Sequence, residues 1–248
     1  SDVCSSDLAD QFDAELHVIH VFEHDQSSTD TERVTAPARN GEEAVRAAVE
    51  LAASSGVEST RRVIKKRKSI HQEILTYTDK HSIDCIVMGT RGRSGLSLSR
   101  AVLGSVAELT LRESPVPVMT VHEETVIDAD ISSVLVPTDG SECAHTAVDH
   151  AGELARSVEA NLHIIYIVEI GQVINGERVE RLREALEEIG EKALDLALEK
   201  IQSSTYLPTE TSLVTGPPYL EIVRYAEEHD VDCIVMGTHG RKGIRRFL

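Results

Sequence analysis

The 248-residue chain is 41% hydrophobic and 27% charged, apolar enough for a packed core and so not a disordered chain, and long enough for one large domain or two small ones. Asp and Glu number 42 against 25 Lys and Arg, a formal charge of −17, which repels nucleic-acid backbones and anionic lipid surfaces. With no Trp, three Phe and five Tyr it lacks platforms for stacking bases.

In chain order, the first apolar strand is read at residues 16–22, an Ala-rich helix at 42–54 and a second strand at 61–66. A helix at 72–81, a buried strand at 85–88, a helix at 99–112 and a strand at 116–121 follow. The acidic stretch 123–132 then reads as a linker. Beyond it come a strand at 134–137, a helix at 142–157, a strand at 162–168 and a long charged helix at 178–202. A strand at 210–214, a helix at 219–228 and a strand at 233–236 complete the series. Short, nearly continuous apolar strands alternating with helices predict α/β domains whose parallel sheets are covered on both faces. No apolar run approaches the ~20 residues of a membrane-spanning helix. Residues 1–10 have neither the basic start nor the apolar stretch of a signal peptide, so the expected compartment is the cytoplasm.

The series is a repeat. Glu73–Gly95 (EILTYTDKHSIDCIVMGTRGRSG) and Glu221–Gly243 (EIVRYAEEHDVDCIVMGTHGRKG) agree at 14 of 23 positions at an offset of 148, where chance gives about one or two. Leu8–Glu23 and Leu154–Glu169 agree at 7 of 16 positions at an offset of 146. So long a period means two copies of one domain, expected at 8–122 and 132–248. The opening strand of copy 2, Ser133–Pro137, maps to a position before Ser1, and the Leu103–Glu108 and Ser114–Val121 segments of copy 1 map beyond Leu248. Copy 1 is therefore expected to lack its first strand, and copy 2 its last helix and strand.

Ligands of an open parallel sheet bind at the carboxyl ends of its strands, and three features fall there. Asp139, in Pro137-Thr138-Asp139-Gly140-Ser141, either accepts hydrogen bonds from a base or sugar edge, or closes a turn and caps the next helix. The octads Met88-Gly-Thr-Arg-Gly-Arg-Ser-Gly95 and Met236-Gly-Thr-His-Gly-Arg-Lys-Gly243 each follow a buried strand. Their glycines let backbone N–H groups approach a phosphate, beside Arg93 and Arg241. Gly104-Ser105 opens a helix, a natural anion site or simply a cap. None of these is a Walker A or a dinucleotide-binding G-x-G-x-x-G sequence.

Together, PTDGS after a strand, IVMGT-[RH]-G-R-x-G and LGSVAE before SPVPV resemble the universal stress protein (UspA-like) family over essentially the whole chain. The resemblance implies two tandem flavodoxin-like (adenine nucleotide alpha hydrolase-like) domains and, in one branch of the family, binding of ATP, with or without magnesium. It implies that Asp139, beside Pro137 and Thr138, contacts the adenine or ribose end, with Val168 near the base. Met88, Gly89 and Gly92, and Met236, Gly237 and Gly240, would line the nucleotide, and Gly104 and Ser105 would hold phosphates. It also implies dimerisation, as a pseudo-dimer of the two domains or a homodimer, with the proline-bearing 116–121 strand as the sheet edge involved. Two departures stand out. Eleven residues separate Gly92 from Gly104 where the family pattern G-x2-G-x9-G-[ST] has nine, and Lys68-Ser69 replace Gly216-Pro217.

The expected function is adenine-nucleotide binding in a stress response, acting through occupancy rather than turnover. A slow ATP hydrolase and a ligand-free dimerisation module are the alternatives. His239 is the best candidate base, with no orienting partner evident, and copy 1 has Arg91 in its place. His17, His20 and His24 are unsuited to one metal because a strand turns 17 and 20 to opposite faces. No two of Cys4, Cys85, Cys143 and Cys233 form a C-x-x-C pair, and the apolar runs around Cys85 and Cys233 predict buried, reduced thiols.

Overall fold

The computed structural model describes residues 9, 12–23, 31–90, 103–122, 131–169, 177–203 and 206–239, with side chains from 39 and 180 onward in the helices that begin at Thr31 and Glu177. The chain divides into two compact units, Ser1–Ala129 and Asp130–Leu248. Every strand pairing among the described residues is parallel. None of the described helices is long and apolar enough to cross a membrane.

In the first unit, β1 (Leu16–Phe22) pairs with β2 (Ser59–Lys65), and β3 (Ile86–Gly89) pairs with β4 (Val118–Val121). Among the described residues these are two separate two-stranded ladders. Helices α1 (Thr31–Ser54), α2 (Ile70–Lys80) and α3 (Ser105–Glu113) alternate with them. Helix α1 starts eleven residues before the expected Glu42 and runs through Pro37 and Gly41, residues that usually interrupt a helix. Packing decides the outcome at Gly41, where a Cβ would collide with the His20 ring of β1. Helix α3 starts at Ser105, not at 99. Strand β4 starts at Val118, so Pro115 and Pro117 precede the strand and do not interrupt it. The Pro117 carbonyl accepts the Ile86 N–H at 3.0 Å. Among the described residues β4 pairs with β3 alone, as an edge strand does.

The second unit holds one sheet in the order β7-β6-β5-β8, built from β5 (Ser133–Pro137), β6 (Asn161–Val168), β7 (Thr209–Thr215) and β8 (Cys233–Ile234). Its helices are α4 (Glu142–Ser157), α5 (Glu177–Gln202) and α6 (Pro218–Glu228). Strand β5 is buried on both faces, with Val134, Leu135 and Val136 at 0% exposure, as its unbroken apolar run requires. On one face Val134, Val136, Leu162 and Ile164 pack with Val148, Ala151 and Ala155 of α4 and Ala197 and Ile201 of α5. On the other, Leu135 and Ile165 meet Tyr225 of α6. Full burial of such side chains is worth about 1.5–3 kcal/mol each. Ile131 packs on the first of these clusters, and Asp232 accepts hydrogen bonds from the Ser132 amide (2.9 Å), the Ser132 hydroxyl (2.9 Å) and the Ser133 amide (3.0 Å). The linker therefore ends before Ile131, and the rest of it, residues 123–130, lies outside the described residues.

Cys85, Cys143 and Cys233 are free thiols, and Cys85 is exposed, not buried as its apolar run suggested. Its counterpart Cys233 pairs in register with Val134 of β5, and the first unit has no such strand among its described residues. Cys4 lies outside them.

Candidate functional site

In the second unit the strand order reverses about β5. The chain proceeds from β5 outward through β6 and β7, then returns to the far side of β5 as β8. The crevice at the carboxyl ends of β5 and β8 is thus the switch point at which open α/β sheets take ligands. From β5, Thr138 continues the ladder with its N–H donating to the Ile165 carbonyl at 2.8 Å, and its side chain is buried. The Thr138 hydroxyl accepts the Gly140 N–H (3.2 Å), and the Asp139 carboxylate accepts the Ser141 N–H (3.0 Å). Gly140 sits at φ 72°, the left-handed conformation that reverses the chain there. Ser141 then caps α4 by accepting the Ala144 N–H at 3.3 Å. The turn-closing role for Asp139 is therefore present in the geometry, with the residue half-buried beside the crevice.

From the other wall, the Val235 N–H donates to the Leu135 carbonyl at 2.8 Å, which draws Met236 and Gly237 alongside the Thr138–Ser141 turn. A Cβ on Gly237 would lie 2.8 Å from Cys143 Sγ and 3.1 Å from the Cys143 backbone. Only glycine permits this approach to the first turn of α4. Met236 is 57% exposed. Val168 is 1% exposed and packs in the core, so at the end of β6 its side chain faces inward; its carbonyl accepts the Gly216 N–H at 3.1 Å. Thr238 Oγ1 lies 3.0 Å from Nδ1 of exposed His239. The ring thus has a hydroxyl partner that the sequence did not reveal.

In the first unit, Met88 and Gly89 are half-buried at the carboxyl end of β3. The Gly104 N–H donates to the Thr90 carbonyl at 2.8 Å, which fixes the start of α3 against that strand end. Gly104 caps α3 with no side-chain hydrogen bond, and Ser105 is the first helical residue. Among the described residues no side chain accepts from the first-turn amides of α3. Gly92 and Gly240, with Arg91, Arg93, Ser94, Gly95, Arg241, Lys242 and Gly243, lie outside the described residues. The described residues thus bring Pro137, Thr138 and Asp139 together with Met236 and Gly237 in one unit, and Met88 and Gly89 together with Gly104 and Ser105 in the other.

A duplicated aromatic cluster lies toward the opposite ends of the strands. His17 Nδ1 is 2.9 Å from the Tyr77 hydroxyl, and Tyr77 stacks on His81 with ring centroids 4.1 Å apart. In the second unit His163 Nδ1 is 3.2 Å from the Tyr225 hydroxyl, which also meets Ser212 Oγ at 3.3 Å, and Tyr225 stacks on His229 at 3.9 Å. The recurrence of these residues at offsets of 146 and 148 was the available signal. His17 thus faces α2 while His20 faces α1, and the described residues hold no group of three or more metal-ligating side chains.

Burial pushes the His163 pKa below its ordinary 6.5; His229 adds to the shift and the Glu210 carboxylate opposes it. A histidine held neutral by the fold contributes stability above pH 6.5 that is lost as pH falls through its lowered folded value. The melting temperature of the second unit is therefore expected to fall between pH 7.5 and 5.5, and to fall less in His163→Gln. Circular dichroism melts at several pH values check this, and identical slopes for the two proteins would refute it.

A cleft of about 510 Å³ between α1 and β2 is lined by Arg39, Glu42, Glu43, Arg46 and Arg61 among others. Its alternation of acids and bases along one helix face is that of a solvated surface.

Comparison with known proteins agrees with this geometry. The profile of the Universal stress protein family matches twice, over residues 5–122 and 131–248. A universal stress protein of Methanocaldococcus jannaschii is 33% identical over 118 residues, which cover 46% of this chain and 69% of the relative. One from Bacillus subtilis is 28% identical over 127 residues, covering 47% of this chain and 85% of the relative. Among solved structures, a universal stress protein from Archaeoglobus fulgidus superposes with a TM-score of 0.70 at 21% identity, over 95% of this chain and 80% of that one, a likeness of fold. With two profile matches over nearly its whole length, each on a parallel α/β unit, the chain belongs to the universal stress protein family.

Proposed function

We propose that this protein binds an adenine nucleotide and acts through occupancy of that site. The observation that carries the reading is the convergence of the Thr138–Ser141 turn with Met236-Gly237 at the sheet's switch point. A carboxylate there suits the hydroxyl and amino donors of a nucleoside, and glycine backbone beside it suits a phosphate. In the first unit, Gly89 and the start of α3, where Gly104 is the N-cap, offer the amide set that anions favour. The family resemblance assigns adenine or ribose contacts to Asp139, the lining of the nucleotide to Met236-Gly237 and, in the other unit, to Met88-Gly89, and phosphate contacts to Gly104 and Ser105, each unit carrying part of a site of its own.

Calorimetric titration with ATP tests the reading. Asp139→Ala is expected to weaken binding about tenfold or more, since a hydrogen bond to a charged group contributes about 1.5–3 kcal/mol. Asp139→Asn, which keeps an acceptor for the Ser141 amide, separates loss of the charge from loss of the turn. Unchanged affinity in both variants would remove Asp139 from the site.

Hydrolysis is the second reading, favoured only by the Thr238–His239 contact. A positioned base needs a partner beyond its own neighbour on an exposed loop, and the binding reading expects little phosphate release with magnesium present. Turnover on the order of 1 per second, abolished in His239→Ala, would reverse the assignment.

A further inference from the structure

Copy 1 carries a basic cluster that copy 2 lacks. Six of the eight residues from Arg61 to Lys68 are Arg or Lys, in a chain with a formal charge of −17. Strand register aligns β2 with β7, since Leu16 pairs with Ser59 as Leu162 pairs with Thr209. Arg61, Arg62 and Lys65 thus correspond to Thr211, Ser212 and Thr215. Lys66 and Arg67 have no counterpart, because Lys68 already corresponds to Gly216. Helix α1 aligns with α5 through Gly41 against His20 and Gly190 against Tyr166. Arg39 and Arg46 then stand where α5 has Glu188 and Asp195. The charge is reversed on a framework whose buried positions agree, with Val45 and Ala48 matching Leu194 and Ala197.

The two sets of arginines meet in the 510 Å³ cleft between α1 and β2, whose walls consist of described residues. Arg39 and Arg46 lie on one wall, two helical turns or about 10 Å apart, and Arg61 and Arg62 lie on the other. By itself the helix wall has the spacing of a solvated face. Glu43 follows Arg39, and Arg46 follows Glu42, by four residues, where ion pairs form readily. Neither pair forms, and Arg39, Arg46 and Arg61 make no ion pair among the described residues. Strand β2 is an edge strand among those residues, and charge on an edge deters strand pairing. That accounts for Lys65 but not for the arginines of the facing helix. Arginine donates in a planar fork that matches phosphate oxygens. Forks on opposite walls, and two turns apart along one of them, exceed the reach of a single phosphate and suit several linked phosphoryl groups. The side chains lining the cleft include no aromatic ring on which a nucleobase could stack.

We propose that the cleft between α1 and β2 binds a linear oligophosphate, with Arg39, Arg46 and Arg61 as its contacts and the basic run through Lys68 extending the positive field beyond it. Glu42 and Glu43 face the same cleft and oppose an anion. Affinity therefore depends on a ligand charged enough to engage several arginines at once. The inference is independent of nucleotide binding and is tested without nucleotide.

Calorimetric titration of the intact chain with inorganic tripolyphosphate, at low salt and without magnesium, is expected to saturate and to weaken as salt rises. Arg39→Glu and Arg46→Asp, which introduce the residues of copy 2, should each weaken binding about tenfold or more, as loss of hydrogen bonds between charged groups does. Arg61→Gln repeats the test on the strand wall, and Glu43→Gln should strengthen binding. Arg224→Gln, at an exposed arginine of the second unit, should leave it unchanged. Modification of arginines by phenylglyoxal, mapped by mass spectrometry, should slow at Arg39, Arg46 and Arg61 when tripolyphosphate is bound. Absence of saturation at millimolar tripolyphosphate would overturn the proposal, as would an equal loss in Arg224→Gln. Protection confined to Arg91, Arg93 or Arg241 would place the phosphates at the glycine octads and would overturn it too. So would equal affinity for an oligothymidylate of the same charge, which would make the cleft a nucleic-acid surface.

Discussion

Ile165→Ala is expected to lower the stability of the second unit by about 2–5 kcal/mol, the range for emptying a fully buried isoleucine site. Ile165 is 0% exposed between Leu135 and Tyr225, with a paired strand on either side of β6. Its counterpart at offset 146, Ile19, is half-exposed on β1, which is paired on one side only among the described residues. Ile19→Ala is therefore expected to cost less than half as much, because water and loosely held neighbours already share the space the side chain would vacate. Denaturant-dependent amide exchange, read separately over residues 16–22 and 161–168, measures both changes in one protein family of variants. Equal losses at the two positions would show that the two strands have equivalent surroundings.

Gly237→Val is expected to reduce ATP affinity more than tenfold while destabilising the second unit by about 1–3 kcal/mol, the usual cost of overpacking. The added carbons meet the Cys143 backbone at about 3.1 Å as well as its sulfur. A side chain can rotate away from such a contact, but the first turn of α4 cannot. The end of β8 must then withdraw from the Thr138–Ser141 turn, and the crevice widens at the point where the two walls meet. Calorimetry with ATP alongside a thermal melt tests both effects. Tight binding despite a lowered melting temperature would place the nucleotide away from this crevice and would count against the proposed function. Gly237→Ala, with a single added carbon, is expected to fall between the two proteins.

Much of the architecture was legible because it depends on local pattern. Apolar runs a few residues long, bounded by Gly, Pro and charged residues, marked β5, β6 and β7 to within a residue, and Ser141-Glu142 marked the start of α4. The 14 identities between the copies mark the duplication in the sequence alone. The start of α1 was not legible, since Pro37 and Gly41 read as breakers and only the closeness of His20 explains the glycine. Cys85 is exposed, against the expectation from its apolar run, for a related reason. An apolar run shows what a strand would bury, whereas the neighbouring strand determines whether it does.

Of the candidate site, the sequence by itself marked the candidate residues: Asp139 after one strand, Met88-Gly89 and Met236-Gly237 after others, and Gly104-Ser105 at a helix start. It determined the parallel α/β class and the twofold repeat as well, because hydrophobic period and turn residues are properties of short segments. Tertiary structure decided what those residues touch. It placed the Asp139 carboxylate on the Ser141 amide and turned the Val168 side chain into the core. It also gave His239 the Thr238 hydroxyl and set Gly237 against Cys143. The duplicated His-Tyr-His clusters likewise arise only when segments some 60 residues apart are brought together. Local propensity says nothing of such contacts, because strand neighbours are chosen by the order of strands in the sheet rather than by their order in the chain.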